Sequence, residues 1–211
     1  MATKFGKFIT LEGCEGVGKS TQMRLLREYC KQNGIDAVFT REPGGTPIAE
    51  KIRAVILDSA NAGMDALTEL FLYAAARRQH TAEFIEPALQ AGTTVFCDRY
   101  ADSTLAYQGY ARGIDKDAIR RLNAWAMGAV AVDCAVFIDL PPREGFLRKG
   151  GRDASDRLEG EGIEFHEKVY AGFCQIAESE PGRFMPVSGR GAAAEVHERI
   201  IELLKQREII Q

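Results

Sequence analysis

Eight residues, Gly13-Cys14-Glu15-Gly16-Val17-Gly18-Lys19-Ser20, constrain this chain more than any other stretch of its 211. They satisfy G-x-x-x-x-G-K-[ST], follow a short apolar run (Phe8 to Leu11) and open an amphipathic one (Lys19 to Gln32). With 21 Gly, 9 Lys and 16 Ser plus Thr in the chain, chance would produce the pattern in roughly 0.7% of such sequences. Strand, Gly-rich turn and helix in this order make an anion nest, because the turn aims its amides inward and the helix adds its positive end. The pattern predicts a triphosphate cradle from Gly13, Cys14, Glu15, Gly16, Val17, Gly18, Lys19, Ser20 and Thr21. Lys19 would reach the β- and γ-phosphates, and the Ser20 hydroxyl would ligate Mg²⁺.

Short apolar runs alternate with longer amphipathic ones along the rest of the chain. Phe8 to Leu11, Ala37 to Thr40, Thr94 to Cys97, Ala135 to Ile138 and Phe184 to Val187 read as buried strands. Lys19 to Gln32, Pro47 to Leu57, Asp65 to Gln90, Asp115 to Met127, Ile163 to Ser179 and Ala193 to Arg207 read as helices. The rhythm predicts an α/β fold, a five-stranded parallel sheet with helices on both faces, in one domain over residues 1–211. Two stretches break it: Arg99 to Gly113, polar and Gly-spaced, and Arg148 to Gly162, Gly- and charge-rich. Both are expected to be loops, the first for binding and the second a lid.

Composition excludes several classes. A net charge of −3 argues against polymeric nucleic acid and anionic membranes as partners. No apolar run approaches the roughly 18 residues of a membrane span, and no secretion signal opens the chain. Five scattered cysteines without a C-x-x-C pair fit a reducing cytoplasm and neither a disulfide framework nor a zinc site. Arginine outnumbers lysine 18 to 9, a bias toward the side chain that grips phosphate bidentately.

A GTPase would need an N-K-x-D signature, and none occurs. The third strand ends Phe96-Cys97-Asp98-Arg99 rather than Asp-Glu, which suits a small kinase: Asp98 organises Mg²⁺ and Arg99 grips the acceptor. Arg41, after the second strand, falls at a strand's C-terminal end, where open α/β folds place ligands. Tyr73 and Arg77, four apart, share a helix face.

Glu12 to Thr21, Arg41-Glu42-Pro43-Gly44-Gly45-Thr46, Asp98-Arg99-Tyr100 with Ser103 and Ala106-Tyr107-Gln108-Gly109, and Asp156-Arg157-Leu158-Glu159 together resemble bacterial-type thymidylate kinases, P-loop nucleoside monophosphate kinases. The likeness runs in order along essentially the whole chain. It implies phosphorylation of dTMP to dTDP with MgATP, and a homodimer to which the long Ala-rich third helix could offer its surface.

By this resemblance Arg41 and Arg99 hold the dTMP phosphate, Glu42-Pro43 is cis, and Tyr73 stacks on thymine while Arg77 bonds its carbonyl. Thr104 and Gln108 face the base edge, Tyr107 excludes a 2′-hydroxyl, and Glu15 accepts the sugar 3′-hydroxyl and stands near the transferring group. Ser103 is a ligand contact or a helix cap. Some relatives carry Arg where this chain has Gly16, so the transition-state charge would come from the lid: Arg152 first, then Arg157, then Arg148. Catalysis is expected from Lys19, Arg99, Arg152, Glu15 and Arg157, with Arg148 on the ATP side and the adenine near Ser188 to Ala192. A deoxynucleoside kinase and a catalytically silent nucleotide sensor are the alternatives. His80, His166 and His197 read as surface or packing residues, and Trp125 with Leu122 and Met127 as packing. Cys14, near a helix N-terminus, is expected to have a low pKa and to be alkylated unless ATP protects it.

Overall fold

The computed structural model describes residues 5–150 and 157–210. Five parallel strands form one sheet in the order β2-β3-β1-β4-β5: β1 (Phe8–Glu12), β2 (Ala37–Arg41), β3 (Thr94–Asp98), β4 (Cys134–Asp139) and β5 (Phe184–Ser188). All five residues of β1 are buried, as expected of a central parallel strand covered on both faces. Its register, Leu11 against Asp98 and Glu12 against Phe137, brings the ends of β1, β3 and β4 level. The loops that leave those ends therefore converge, and they carry the phosphate motif and Arg99.

Helices α1 (Lys19–Gln32), α2 (Pro47–Leu57), α6 (Lys116–Met127), α8 (Ile163–Ser179) and α9 (Ala193–Gln206) match the amphipathic runs to within a residue. The long third run resolves into α3 (Ala66–His80), one π turn (Thr81–Ile85) and α4 (Glu86–Gln90). Asp65 caps α3, its carboxylate accepting from the backbone N–H of Leu67 and Thr68.

Two expectations need correction. Residues 99–113 are not a loop: α5 (Ala101–Thr104) runs directly into a π-helical segment, Leu105–Ala111. The polar residues that suggested a loop are buried, with Thr104 and Gln108 at 2% and 1% exposure, because they face the cleft instead of solvent. Residues 142–149, assigned partly to a lid, form α7 (Pro142–Lys149), started by Pro142 and closed by Gly150 at φ 83°.

Packing readings divide as well. His80 is fully buried, between Thr40 Oγ1 (2.7 Å) and Glu42 Oε1 (3.1 Å). Trp125 is not a packing residue, being 79% exposed. The buried face of α6 is Ile119, Asn123 and Ala126, and Trp125 points away from it.

Candidate active site

One cleft of about 640 Å³ runs along the strand ends. At one end lie Glu15 to Gln22, Arg148 and Gly191, and at the other Tyr73, Arg77, Thr104, Tyr107 and Gln108. Arg41, Asp98 and Arg99 also line it. Nine of the strand-end and helix residues expected to bind two phosphate chains and a base, Ser103 included, thus share a single cavity.

The phosphate loop is built on close backbone approach. Gly16 has φ 73°, and a Cβ there would stand 2.1 Å from the Gly145 carbonyl oxygen of α7. Nothing larger than glycine fits, so an arginine at this position is sterically incompatible with α7 as placed here. Lys19, buried, turns its ammonium onto the carbonyls of Cys14 (2.8 Å) and Gly13 (3.1 Å). Burial, followed by the neighbouring Arg99 charge, lowers its pKa.

Arg99 ties the loop to the acceptor side. It adopts φ 67°, a rare conformation for a non-glycine residue. Its guanidinium donates to the Gly13 carbonyl (2.9 Å), Ser103 Oγ (3.2 Å) and Glu15 Oε1 (2.5 Å), and sits 5.2 Å from the Tyr107 ring centre. Tyr107 also donates to Glu15, at 3.3 Å. Burial alone would push the Glu15 carboxyl up, but Arg99, Lys19 and Lys149 outweigh it and hold the group at about 2. Glu15 is therefore a fixed anion in the field of these three cations, suited to orienting a substrate hydroxyl.

Ser103 is no helix cap: it lies inside α5 and donates to Glu12 Oε2 at 2.6 Å. Glu12, which sequence reasoning passed over, also accepts from the Tyr100 backbone N–H at 2.8 Å and is fully buried. Burial and then the nearby Asp102 raise its pKa to about 8, against the pull of Ser103 and Arg99. Relative to an ordinary value near 4.5, Glu12 is protonated in both folded and unfolded chain below pH 4.5 and destabilises the fold progressively as pH rises toward 8. Glu12→Gln should therefore match the wild-type melting temperature at pH 4 and exceed it increasingly up to pH 8. Parallel melting curves over that range would mean that Glu12 stays charged.

At the base end, Arg77 is 1% exposed and donates through Nε to Glu42 (2.9 Å), Nη1 to Asn123 (2.7 Å) and Nη2 to Thr104 (2.9 Å). Burial opposes its charge, and Glu42 more than compensates, raising its pKa. Glu42 and Asn123 are further residues that sequence reasoning missed, since a buried Glu or Asn carries no periodic signature of its own. Glu42-Pro43 is cis, as expected. Arg41, half exposed, pairs with Glu50 at 3.0 Å.

Two expectations shift. Cys14 is fully buried, and burial pushes its thiol up to about 12 in spite of Lys19 and Arg99, so it is not a low-pKa nucleophile. Iodoacetamide at pH 7.5 is expected to leave Cys14 unlabelled in the folded protein, with or without nucleotide, and to label it in denaturant, as read by peptide mass analysis. Arg157 does not line the cleft: its Nη2 meets Glu69 at 2.6 Å and its Nε donates to the Ile56 carbonyl at the end of α2 (2.8 Å). A guanidinium held by a buried carboxylate and a helix C-terminus clasps structure and does not face the transferring group here. Arg148 lines the cleft and donates to the Gly189 carbonyl at 2.6 Å, within the stretch expected near the adenine. Arg152 and Asp156 lie outside the described residues.

Residues 11–200 match the family model described as thymidylate kinase. The chain belongs to the thymidylate kinase family. It is 47% identical over 206 residues to the thymidylate kinase of Desulfosudis oleivorans, covering 94% of this chain and 96% of that one. The thymidylate kinase of a Synechococcus strain is 47% identical over 200 residues, 95% of each chain. A crystal structure of thymidylate kinase from Ehrlichia chaffeensis superimposes with a TM-score of 0.79 at 35% identity, covering 95% of this chain and 99% of that chain. The parallel sheet with its phosphate loop is thus the P-loop NTPase fold of this kinase family. Among the described residues no helix is long and apolar enough to cross a membrane.

Proposed function

We propose that this chain transfers the γ-phosphoryl group of ATP to dTMP, giving ADP and dTDP in the cytoplasm. The observation that carries the reading is the single cleft in which Lys19 and the phosphate loop face Tyr73 and Arg77 across Arg99. A dTMP phosphate oxygen attacks the γ-phosphorus, the bond from that phosphorus to the β,γ-bridging oxygen breaks, and the electron pair leaves with ADP. The acceptor oxygen is already ionised near neutral pH, so no general base is required, and rate comes from positioning and charge neutralisation. Arg41 and Arg99 offset the charge of the acceptor phosphate, while Lys19 serves the triphosphate.

The donor set fits Mg²⁺. Ser20 and Asp98 both line the cleft with hard oxygen ligands, and Asp98 Oδ1 is buried without a hydrogen-bond partner among the described residues. The ion would neutralise phosphate charge from this side. Arg152 is the proposed arginine for the transferring group: Arg152→Ala is expected to lower kcat by about 10³-fold with less than a few-fold change in the dTMP KM. A changed KM with unchanged kcat would make it a binding residue.

Family membership favours this reading over a deoxynucleoside kinase or a silent sensor. A homodimer is part of it: Leu67 and Phe71 on α3 and Trp125 on α6, two helices in contact, are 50%, 59% and 79% exposed and offer an apolar surface that sedimentation would test. ADP formation from MgATP over dTMP, dUMP, dCMP, dGMP and AMP tests the function. The expected order places dTMP first; any other best acceptor removes the roles given to Tyr73, Arg77 and Thr104.

A further inference from the structure

Beside the base end of the cleft lies a charged cluster that the phosphate chemistry does not use. Glu69 on α3, with its side chain 1% exposed, accepts from Gln108 Nε2 at 2.8 Å and from Arg112 Nε at 3.3 Å on one carboxylate oxygen. Its other oxygen faces Arg112 Nη2 at 3.2 Å and Arg157 Nη2 at 2.6 Å. Arg112 also pairs with Glu161 at 2.6 Å and lies 4.6 Å from the Phe165 ring centre. Burial alone would raise the Glu69 pKa, but the hydrogen bonds from Arg112 and Gln108 prevail and lower it. Glu69 is thus an ionised carboxylate that can only accept.

That fixes the amide of Gln108. Its NH₂ must face Glu69, and amide planarity turns its carbonyl oxygen the other way. Gln108 lines the cleft, and no hydrogen bond to that oxygen occurs among the described residues. Arg77, on the same wall, spends one N–H of each nitrogen on Glu42, Asn123 and Thr104, which leaves one on Nη1 and one on Nη2.

We propose that Glu69 sets the acceptor-base selectivity of this enzyme as a positioning residue, by holding Gln108 with its carbonyl oxygen toward the base. The wall then presents a donor, Arg77, beside an acceptor, Gln108. A pyrimidine with a 4-oxo group and an N3–H meets both. Cytosine, with a 4-amino donor and an N3 acceptor, opposes both, and Glu69 makes the opposition rigid because Gln108 cannot flip without aiming its oxygen at a carboxylate. This inference rests on the dTMP reading above.

The test is the ratio of kcat/KM for dTMP to that for dCMP in Glu69→Gln, in Gln108→Leu and in the double variant. Gln at 69 can donate or accept, so Gln108 is free to flip, and the ratio should fall about 10- to 100-fold, chiefly through the nucleotide monophosphate KM and with the ATP KM unchanged. In the Gln108→Leu background, Glu69→Gln should change the ratio no further. If Glu69→Gln fails to fold because two arginines lose their counter-charge, the charge-balanced Glu69→Gln/Arg112→Gln pair provides the same comparison. A folded variant that keeps the wild-type ratio, or an equal effect of Glu69→Gln with and without Gln108, overturns the inference while wild-type preference for dTMP leaves the function standing. Wild-type enzyme without that preference overturns the function itself.

Discussion

Arg99→Ala is expected to lower kcat by about 10³-fold and to raise the dTMP KM as well. Its side chain touches several parts of the site at once: the Gly13 carbonyl in the phosphate loop, Glu15, Ser103 on α5 and the face of Tyr107. Truncation removes a cation from beside the acceptor phosphate and at the same time frees the Glu15 carboxylate, which loses its strongest partner. Repulsion between two anionic substrates and a loosened Glu15 act in the same direction. Arg99→Lys should recover only part of the loss, since an ammonium cannot span Gly13 and Glu15 as a planar fork does. Steady-state kinetics with both substrates varied decides it, and a fall in kcat of less than about tenfold would remove Arg99 from the reacting centre.

The second large effect is on stability. Arg77→Ala is expected to cost about 3–5 kcal/mol, because Glu42 would be left buried with His80 as its side-chain partner among the described residues, while Asn123 and Thr104 lose a donor. That is a large part of the usual margin for a domain and corresponds to a fall in Tm of about 6–20 °C. The change also removes a guanidinium lying 5.1 Å from the Tyr100 ring centre. A melting temperature within about 2 °C of wild type would show that the buried pair contributes no net stability. Saturating dTMP should not rescue the variant, since the base loses its partner together with the fold.

Local signals gave the architecture cleanly where pattern and burial agree. The strands are apolar runs because both faces of the sheet are covered, and α1 and α2 were bounded by a Gly-rich turn and by Pro47. The segment 101–111 was misread because its polar side chains are buried against Glu12, Glu69 and Arg77, so that helical spacing and polarity pointed in opposite directions. Trp125 failed for the converse reason: an aromatic residue suggests a core, yet it stands on the open side of α6. Within the site, the residues carried by glycine and basic motifs were legible, whereas Glu12, Glu42, Glu69 and Asn123 were not. Each of these acts on another side chain, and such pairs form only when strands and helices distant in sequence meet. Arg157 shows the limit of motif reading from the other side, since a basic residue in a kinase motif is engaged here by Glu69 and by the end of α2.

Transfer to an acceptor phosphate through this cleft can be followed with the label of [γ-³²P]ATP in the presence of Mg²⁺ and dTMP. Label is expected to enter the β-phosphate of dTDP in step with ADP formation, with little inorganic phosphate, and Arg99→Ala is expected to suppress the transfer. Label released mainly as inorganic phosphate, or no transfer to dTMP by folded protein, would contradict it.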